Sequence, residues 1–214
     1  CDLLLLIVPL ILGFNKAVHF SQLLKPALLA SFFIAMLCSS LSYALVSSKI
    51  IGFNDDFTIG LSILTLPIEE ILFYFSFPFF SIFIYENLKY SLQDSSLKWV
   101  NLSVRLFIPL LSLYIALIED SGIYTLVVLA LSTGVFILWN CYAYLKKIAL
   151  TYLVCILPYL FCSYLLIGTE RNPSAIWHNE SQQLSLKLST LPLEEILDGF
   201  ALMAASMILF EILQ

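Results

Sequence analysis

Two adjacent glutamates occur twice in one octapeptide setting, T-L-P-[IL]-E-E-I-L. The first copy, Thr65–Leu72, carries Glu69 and Glu70; the second, Thr190–Leu197, carries Glu194 and Glu195. Each pair stands in a stretch otherwise fit for lipid. Charge at membrane depth is costly, so a carboxylate there marks a functional site by default. A buried carboxyl pair can hold a proton donor beside a proton acceptor near neutral pH, which is the usual basis of acid–base assignments. The chemistry implied is proton movement, either across a membrane or onto a substrate. Polar side chains also tie membrane helices together through hydrogen bonds. Four carboxylates in duplicate argue for more than that.

Pro67 and Pro192 come just before the carboxylates. Proline suits the first turn of a helix, so a helix is expected to restart there, with Thr65 and Thr190 as N-caps. The glutamates then fall where free N–H groups and the helix dipole favour negative charge. Adjacent residues project about 100° apart on a helix. The expected inward pair is Glu69 and Glu194, with Glu70 and Glu195 beside them. Around them run Phe73, Tyr74, Phe75, Phe77, Phe79, Phe80, Phe83 and Tyr85. Farther along come Trp139, Tyr142, Tyr144, Tyr152, Tyr159, Phe161 and Tyr164. Aromatic packing and interfacial belts account for many such rings. Together they could also wall a long apolar pocket whose π-faces stabilise a carbocation. Donor, acceptor and aromatic walls suit acid-catalysed chemistry on a polyene. A proton transporter would string its carboxylates along a polar path, and few polar residues extend one here.

The elements that must position these groups are membrane helices. Of 214 residues, 61% are apolar and only 12% charged, which excludes an ordinary soluble domain. Net charge is −5, and no basic cluster suggests nucleic acid. The five cysteines form no C-x-x-C pair, His19 and His178 belong to no metal-ligand spacing, and no G-x-G-x-x-G is present. No metal or nicotinamide or flavin cofactor is expected. On a ruler of about 20 apolar residues per span, seven segments are expected: 2–14 (short), 26–46, 60–85, 98–118, 122–142, 149–168 and 187–213. The connections 47–57 and 168–186 precede the glutamate segments and are expected to cap a cavity from one side. Lys16, Lys25, Lys89, Lys98, Lys146 and Lys147 follow odd-numbered spans; Lys49, Arg171 and Lys187 follow even-numbered ones. That bias places the N-terminus outside and the C-terminus inside. Sliding the chain by 125 positions also aligns Asn54 with Asn179, Asp55 with Glu180, Phe75 with Phe200 and Glu86 with Glu211. The expected organisation is one membrane domain, 1–214, with repeat units of roughly 1–90 and 120–214. Spans three and seven would then run in the same direction and could face one cavity.

These residues resemble the membrane-embedded lycopene cyclases of the CrtYc/CrtYd type, in fused single-chain form. In the first half the resemblance rests on Gly52-Phe53-Asn54, Leu66-Pro67-Ile68-Glu69-Glu70-Ile71-Leu72-Phe73 and Ile84-Tyr85-Glu86. In the second it rests on Ile176-Trp177-His178-Asn179 and Thr190-Leu191-Pro192-Leu193-Glu194-Glu195; Val18-His19-Phe20 also fits. There are departures. The Trp-Asp pair usual in the second helix is Ser42-Tyr43 or nearby, and a V-N-G-type segment is Cys162-Ser163-Tyr164. The frequent P-x-E-D is Pro192-Leu193-Glu194-Glu195, and a usual Tyr gives way near Asp198-Gly199. Glu119-Asp120 reads as a turn.

The resemblance implies an all-α membrane bundle related to the UbiA-type prenyltransferases. Their N-x-x-x-D-x-x-x-D metal motif is absent from this sequence, so a hydrocarbon substrate is expected rather than a diphosphate. It implies lycopene β-cyclase activity without net redox change and without a cofactor. Glu69, Glu70, Glu194 and Glu195 would share the acid and base roles, and Asn54, Phe73, Tyr74, Phe77, Trp177 and Asn179 would contact substrate. Expected partners are lycopene or a related carotenoid, the lipid bilayer, and an oligomer or carotenoid-enzyme complex; the expected location is a bacterial cytoplasmic membrane. The alternatives are a carotenoid 1,2-hydratase, a proton-coupled transporter, and a non-catalytic scaffold for carotenoid synthesis.

Overall fold

The computed structural model describes residues 2–13, 20–91, 98–117, 122–142, 147–167, 175–179, 182, 184, 187–188 and 191–214. The expectations placed on His19, Lys16, Lys146, Glu119, Asp120, Arg171, Glu180 and Thr190 lie outside these residues. Seven helices are described: α1 (Asp2–Gly13), α2 (Phe20–Ser47), α3 (Ile68–Ser91), α4 (Lys98–Ala116), α5 (Ile123–Cys141), α6 (Ile148–Ile167) and α7 (Glu194–Leu213). Helices α2 to α7 are long and apolar enough to cross a membrane. The chain is an all-α integral membrane bundle. Helix α1 has 12 residues, a rise of about 18 Å, which is shorter than a hydrocarbon core.

Two of the expected spans begin later than hydropathy suggests. Residues ahead of α3 form a hairpin, β2 (Ser62–Ile63) with β3 (Leu66–Pro67). Residues ahead of α7 form another, β5 (Lys187–Leu188) with β6 (Leu191–Pro192). So Pro67 and Pro192 end strands rather than opening helices. Proline has no N–H to give a ladder but tolerates a strand edge, and each helix restarts just beyond it. Thr65 sits in the turn between β2 and β3 and is not the N-cap of α3. Leu193 precedes α7 with no side-chain cap.

Helices α3 and α7 form the core. Phe77, Phe79 and Ile82 of α3, and Phe200, Met203, Met207 and Phe210 of α7, are fully buried. The two helices pack against each other; α1 and α2 also pack on α3, and α5 and α6 on α7. Small residues where the helices meet, Ser81 of α3 and Ser206 of α7, let the backbones approach. The Ser81 and Ser206 hydroxyls meet at 3.1 Å, and these residues are 125 positions apart. At the C-terminal ends, the Tyr85 hydroxyl donates to Glu211 at 2.7 Å and the Gln214 amide donates to Glu86 at 3.4 Å. Lys89 donates to both carboxylates, at 2.7 Å to Glu211 and 3.2 Å to Glu86. Residue pairs such as 81 with 206 and 86 with 214 mean that α3 and α7 run in the same direction.

At the opposite end a short ribbon crosses the bundle. Strand β1 (Ile51–Phe53) pairs antiparallel with β4 (Ile176–His178), and Gly52 faces Trp177. The Asn54 N–H donates to the Ala175 carbonyl and the Asn179 N–H to the Ile50 carbonyl, both at 2.9 Å. Each of these contacts is the image of the other under the 125-residue shift.

Candidate active site

The N-terminal ends of α3 and α7 meet beneath the β1–β4 ribbon and leave a cavity of 110 Å³. Its polar lining converges from several elements: Glu70 and Tyr74 from α3, Tyr124 from α5, Tyr159 and Ser163 from α6, and Glu195 and Asp198 from α7. Helix α2 supplies Cys38, Leu41, Ser42 and Leu45, and the ribbon supplies Ile51, Ile176 and His178 as a roof. The described parts of the two connections expected to cap a cavity, residues 47–57 and 175–179, therefore do so by pairing with one another.

The carboxylates are held by phenols. The Tyr124 hydroxyl donates to Glu195 Oε1 at 3.3 Å. The Tyr159 hydroxyl lies 2.7 Å from Asp198 Oδ2 and 3.3 Å from Glu195 Oε2. Ser163 also hydrogen-bonds Glu195, and Tyr74 hydrogen-bonds Glu70. Hydrogen bonds to a carboxylate hold it in one orientation and stabilise its charge. Gly199 lets Tyr159 come this close, since a Cβ there would lie 2.9 Å from the ring. The Tyr74 counterpart in the second half is this glycine, and the Phe73 counterpart is Asp198. The two halves therefore make a lopsided site, with one carboxyl from the first and two from the second.

Glu69 and Glu194 do not face this cavity, which corrects the expected inward pair. Glu69 Oε1 accepts the Ile59 N–H at 2.6 Å, and Glu194 Oε1 accepts the Leu184 N–H at 2.8 Å. Each carboxylate thus holds the backbone ten residues upstream and ties the hairpin down over its helix. Glu194 also accepts the Thr125 hydroxyl at 2.8 Å and is fully buried. The Oε2 atoms of both residues find no partner among the described residues. Glu69 instead borders an adjoining, larger hollow of 180 Å³, which Glu70, Phe73, Leu166 and Ile176 share with the cavity of 110 Å³.

The expected substrate contacts divide in a similar way. Phe73 and Tyr74 line the cavity. Phe77 lies behind it, with its ring 5.6 Å from that of Phe73 and 5.3 Å from that of Tyr159. Trp177 is half-exposed on the outer side of the ribbon and borders a separate outer hollow with Gly52 and Lys49. Asn54 and Asn179 end the ribbon and do not line the cavity; the Asn54 side chain accepts the Asp56 N–H at 3.2 Å in a local turn. Sequence reasoning gave no role to Tyr124 or His178 and little weight to Asp198. Asp198 stands three residues after Glu195, the spacing that puts two side chains on one helix face. That spacing is a signal present in the sequence. His178 packs edge-on against Tyr124, with ring centroids 5.2 Å apart. Burial, with Lys187 nearby, lowers its pKa from 6.5 to about 4, so it is neutral at pH 7.

A family model described as lycopene cyclase matches residues 1–88 and 121–213, most of the chain. No curated protein and no solved structure matches it. With carboxylates, phenols and aromatic rings gathered inside an apolar bundle, that match gives the site its chemical setting: the chain belongs to the lycopene cyclase family.

Proposed function

We propose that this protein is a lycopene β-cyclase that closes the acyclic ends of lycopene by acid–base catalysis. The observation that carries this reading is the convergence of Glu70, Glu195 and Asp198 on one cavity walled by aromatic rings. A protonated carboxyl delivers H⁺ to C2 of the terminal C1=C2 bond. The C5=C6 bond attacks the resulting C1 cation and closes a six-membered ring. A carboxylate then removes the C6 proton, which gives the β-ring. Proton taken and proton returned balance, so the reaction consumes no cofactor. Glu70 and Glu195 carry the donor and acceptor roles, while Glu69 and Glu194 hold the backbone ahead of the hairpins that lead into α3 and α7. Phe73, Tyr74, Tyr124 and Tyr159 surround the cation with π-faces and keep out the water that would trap it as an alcohol. The fold is UbiA-like, of the two-part cyclase type fused in one chain, and the enzyme works in a bacterial cytoplasmic membrane.

The test is pigment analysis after expression in a lycopene-accumulating bacterial host. The expected result is γ- or β-carotene appearing as lycopene falls. Unchanged lycopene with the protein present in the membrane overturns this reading. Hydroxylated products replace it with a hydratase, and ε-rings correct the position of proton loss.

A further inference from the structure

Ring closure leaves the site in the wrong protonation state. The donor has lost its proton and the acceptor has gained one, so a second turnover needs the proton moved back. The cavity holds a third carboxyl, Asp198, that the ring-closing step does not require. It lies 2.7 Å from the Tyr159 hydroxyl, which is 3.3 Å from Glu195. On its other side it lines the same cavity as Tyr74, whose hydroxyl is bonded to Glu70. A hydroxyl can release its proton to one neighbour while it accepts another's, so a phenol between two carboxyls transmits a proton without holding a charge.

We propose that Asp198 and Tyr159 form an internal proton relay that joins Glu195 to Glu70 and resets the site after each ring closure. This rests on the cyclase reading above. When Glu195 has taken the C6 proton, its carboxyl gives that proton to the Tyr159 oxygen as the Tyr159 proton passes to Asp198. Across the cavity that both line, Asp198 gives a proton to the Tyr74 oxygen as the Tyr74 proton passes to Glu70, and Glu70 is again the acid. If Glu70 is the acceptor and Glu195 the donor, the same chain runs in reverse. No proton is created or lost in either direction. The bridging acid of the relay comes from the second half alone, because the residues equivalent to Asp198 and Gly199 in the first half are Phe73 and Tyr74. Gly199 leaves the room in which Tyr159 bridges the two acids.

The experiment is cyclisation of unlabelled lycopene in D₂O by the purified enzyme, with mass spectrometry of the rings at C2. With a working relay, protium taken from C6 returns to C2 of later ends, so wild-type rings carry less deuterium than the solvent. Tyr159→Phe and Asp198→Asn should each raise C2 deuterium to the solvent level. Each should also slow steady-state turnover by tenfold or more, while the first ring per enzyme still forms. A merely structural role would lower yield without changing isotope content. Wild-type rings deuterated to the solvent level, or variants that match wild type in both isotope content and rate, overturn the relay. Tyr159→Phe keeps the ring and loses one oxygen; if it does not fold, Asp198→Asn decides alone. A wild-type enzyme that makes no ring overturns the cyclase reading, and the relay with it.

Discussion

At the scale of single residues, the two members of each glutamate pair do different work. Glu195 faces the cavity, and Tyr124 and Tyr159 hold it there. Glu194 faces away and accepts the Leu184 N–H and the Thr125 hydroxyl through one oxygen. Glutamine keeps an oxygen acceptor but cannot exchange a proton. Glu195→Gln should therefore lower the cyclisation rate by about 10²- to 10⁴-fold, the usual range for a lost acid or base, with little change in melting temperature. Glu194→Gln should keep most activity. Glu194→Ala leaves a buried N–H unpaired and should cost about 1–3 kcal/mol of stability. Rates and melting curves of the three variants in detergent separate these outcomes, and a fully active Glu195→Gln would remove Glu195 from the mechanism. The sequence made the pairs conspicuous but not their division of labour. Two residues 100° apart fit a helix face in two ways, and the choice falls to a backbone amide ten residues upstream, ahead of the hairpin, that helix periodicity does not register.

At the scale of elements, the ribbon decides whether the cavity is covered. Strands of two or three residues leave almost no alternating pattern, and β1 and β4 lie 125 positions apart, so hydropathy reads them as loop or span. What was legible was their position: each precedes a glutamate helix and carries aromatic and polar residues. Gly52 is the point of closest approach, because a Cβ there would run into the Trp177 indole. Gly52→Ala should force the ribbon apart, destabilise the protein by about 1–3 kcal/mol, and let water reach the cation. A rise in hydroxylated over cyclic product, read by pigment chromatography, checks this; an unchanged ratio would mean that the ribbon does not exclude water. The ribbon also carries a pH response. Folded His178 titrates near 4 rather than 6.5, so between these values the unfolded chain holds a proton that the folded chain does not. Its contribution is complete above pH 6.5 and is lost as pH falls through about 4, by at most about 1.4 kcal/mol per unit. His178→Gln should flatten the melting temperature against pH in that window, and an unaltered slope would exclude His178 as its source.

At the scale of the whole molecule, the 125-residue shift organises more than the octapeptides. Ser81 touches Ser206, Gly52 faces Trp177, and the Asn54 and Asn179 N–H groups exchange places across the ribbon. A shift read along a sequence says that two segments are alike; only packing brings the like segments into contact with one another. We infer that the halves are duplicated units, each incomplete alone, that build one site at their junction. The cavity draws Glu70, Tyr74 and the α2 wall from the first half, and Tyr124, Tyr159, Glu195 and Asp198 from the second. The halves are bound to each other by α3 against α7, α2 against α7, the ribbon and the Lys89–Glu211 cluster. Helix α4 packs mainly on α5 and α6 and supplies no wall of the cavity. Covalent continuity between α3 and α4 is then unnecessary for catalysis. Residues 1–91 and 98–214, expressed together as separate chains, should assemble and convert lycopene, while neither fragment alone should form a ring. Linking raises the effective concentration of one half near the other, to the millimolar range for short flexible linkers, so the split pair should be more sensitive to dilution than the intact chain. Pigment analysis of the three strains, with co-purification of one fragment on a tag carried by the other, decides the matter. Ring formation by either fragment alone would mean that a complete site lies within one half, and the shared cavity would lose its role.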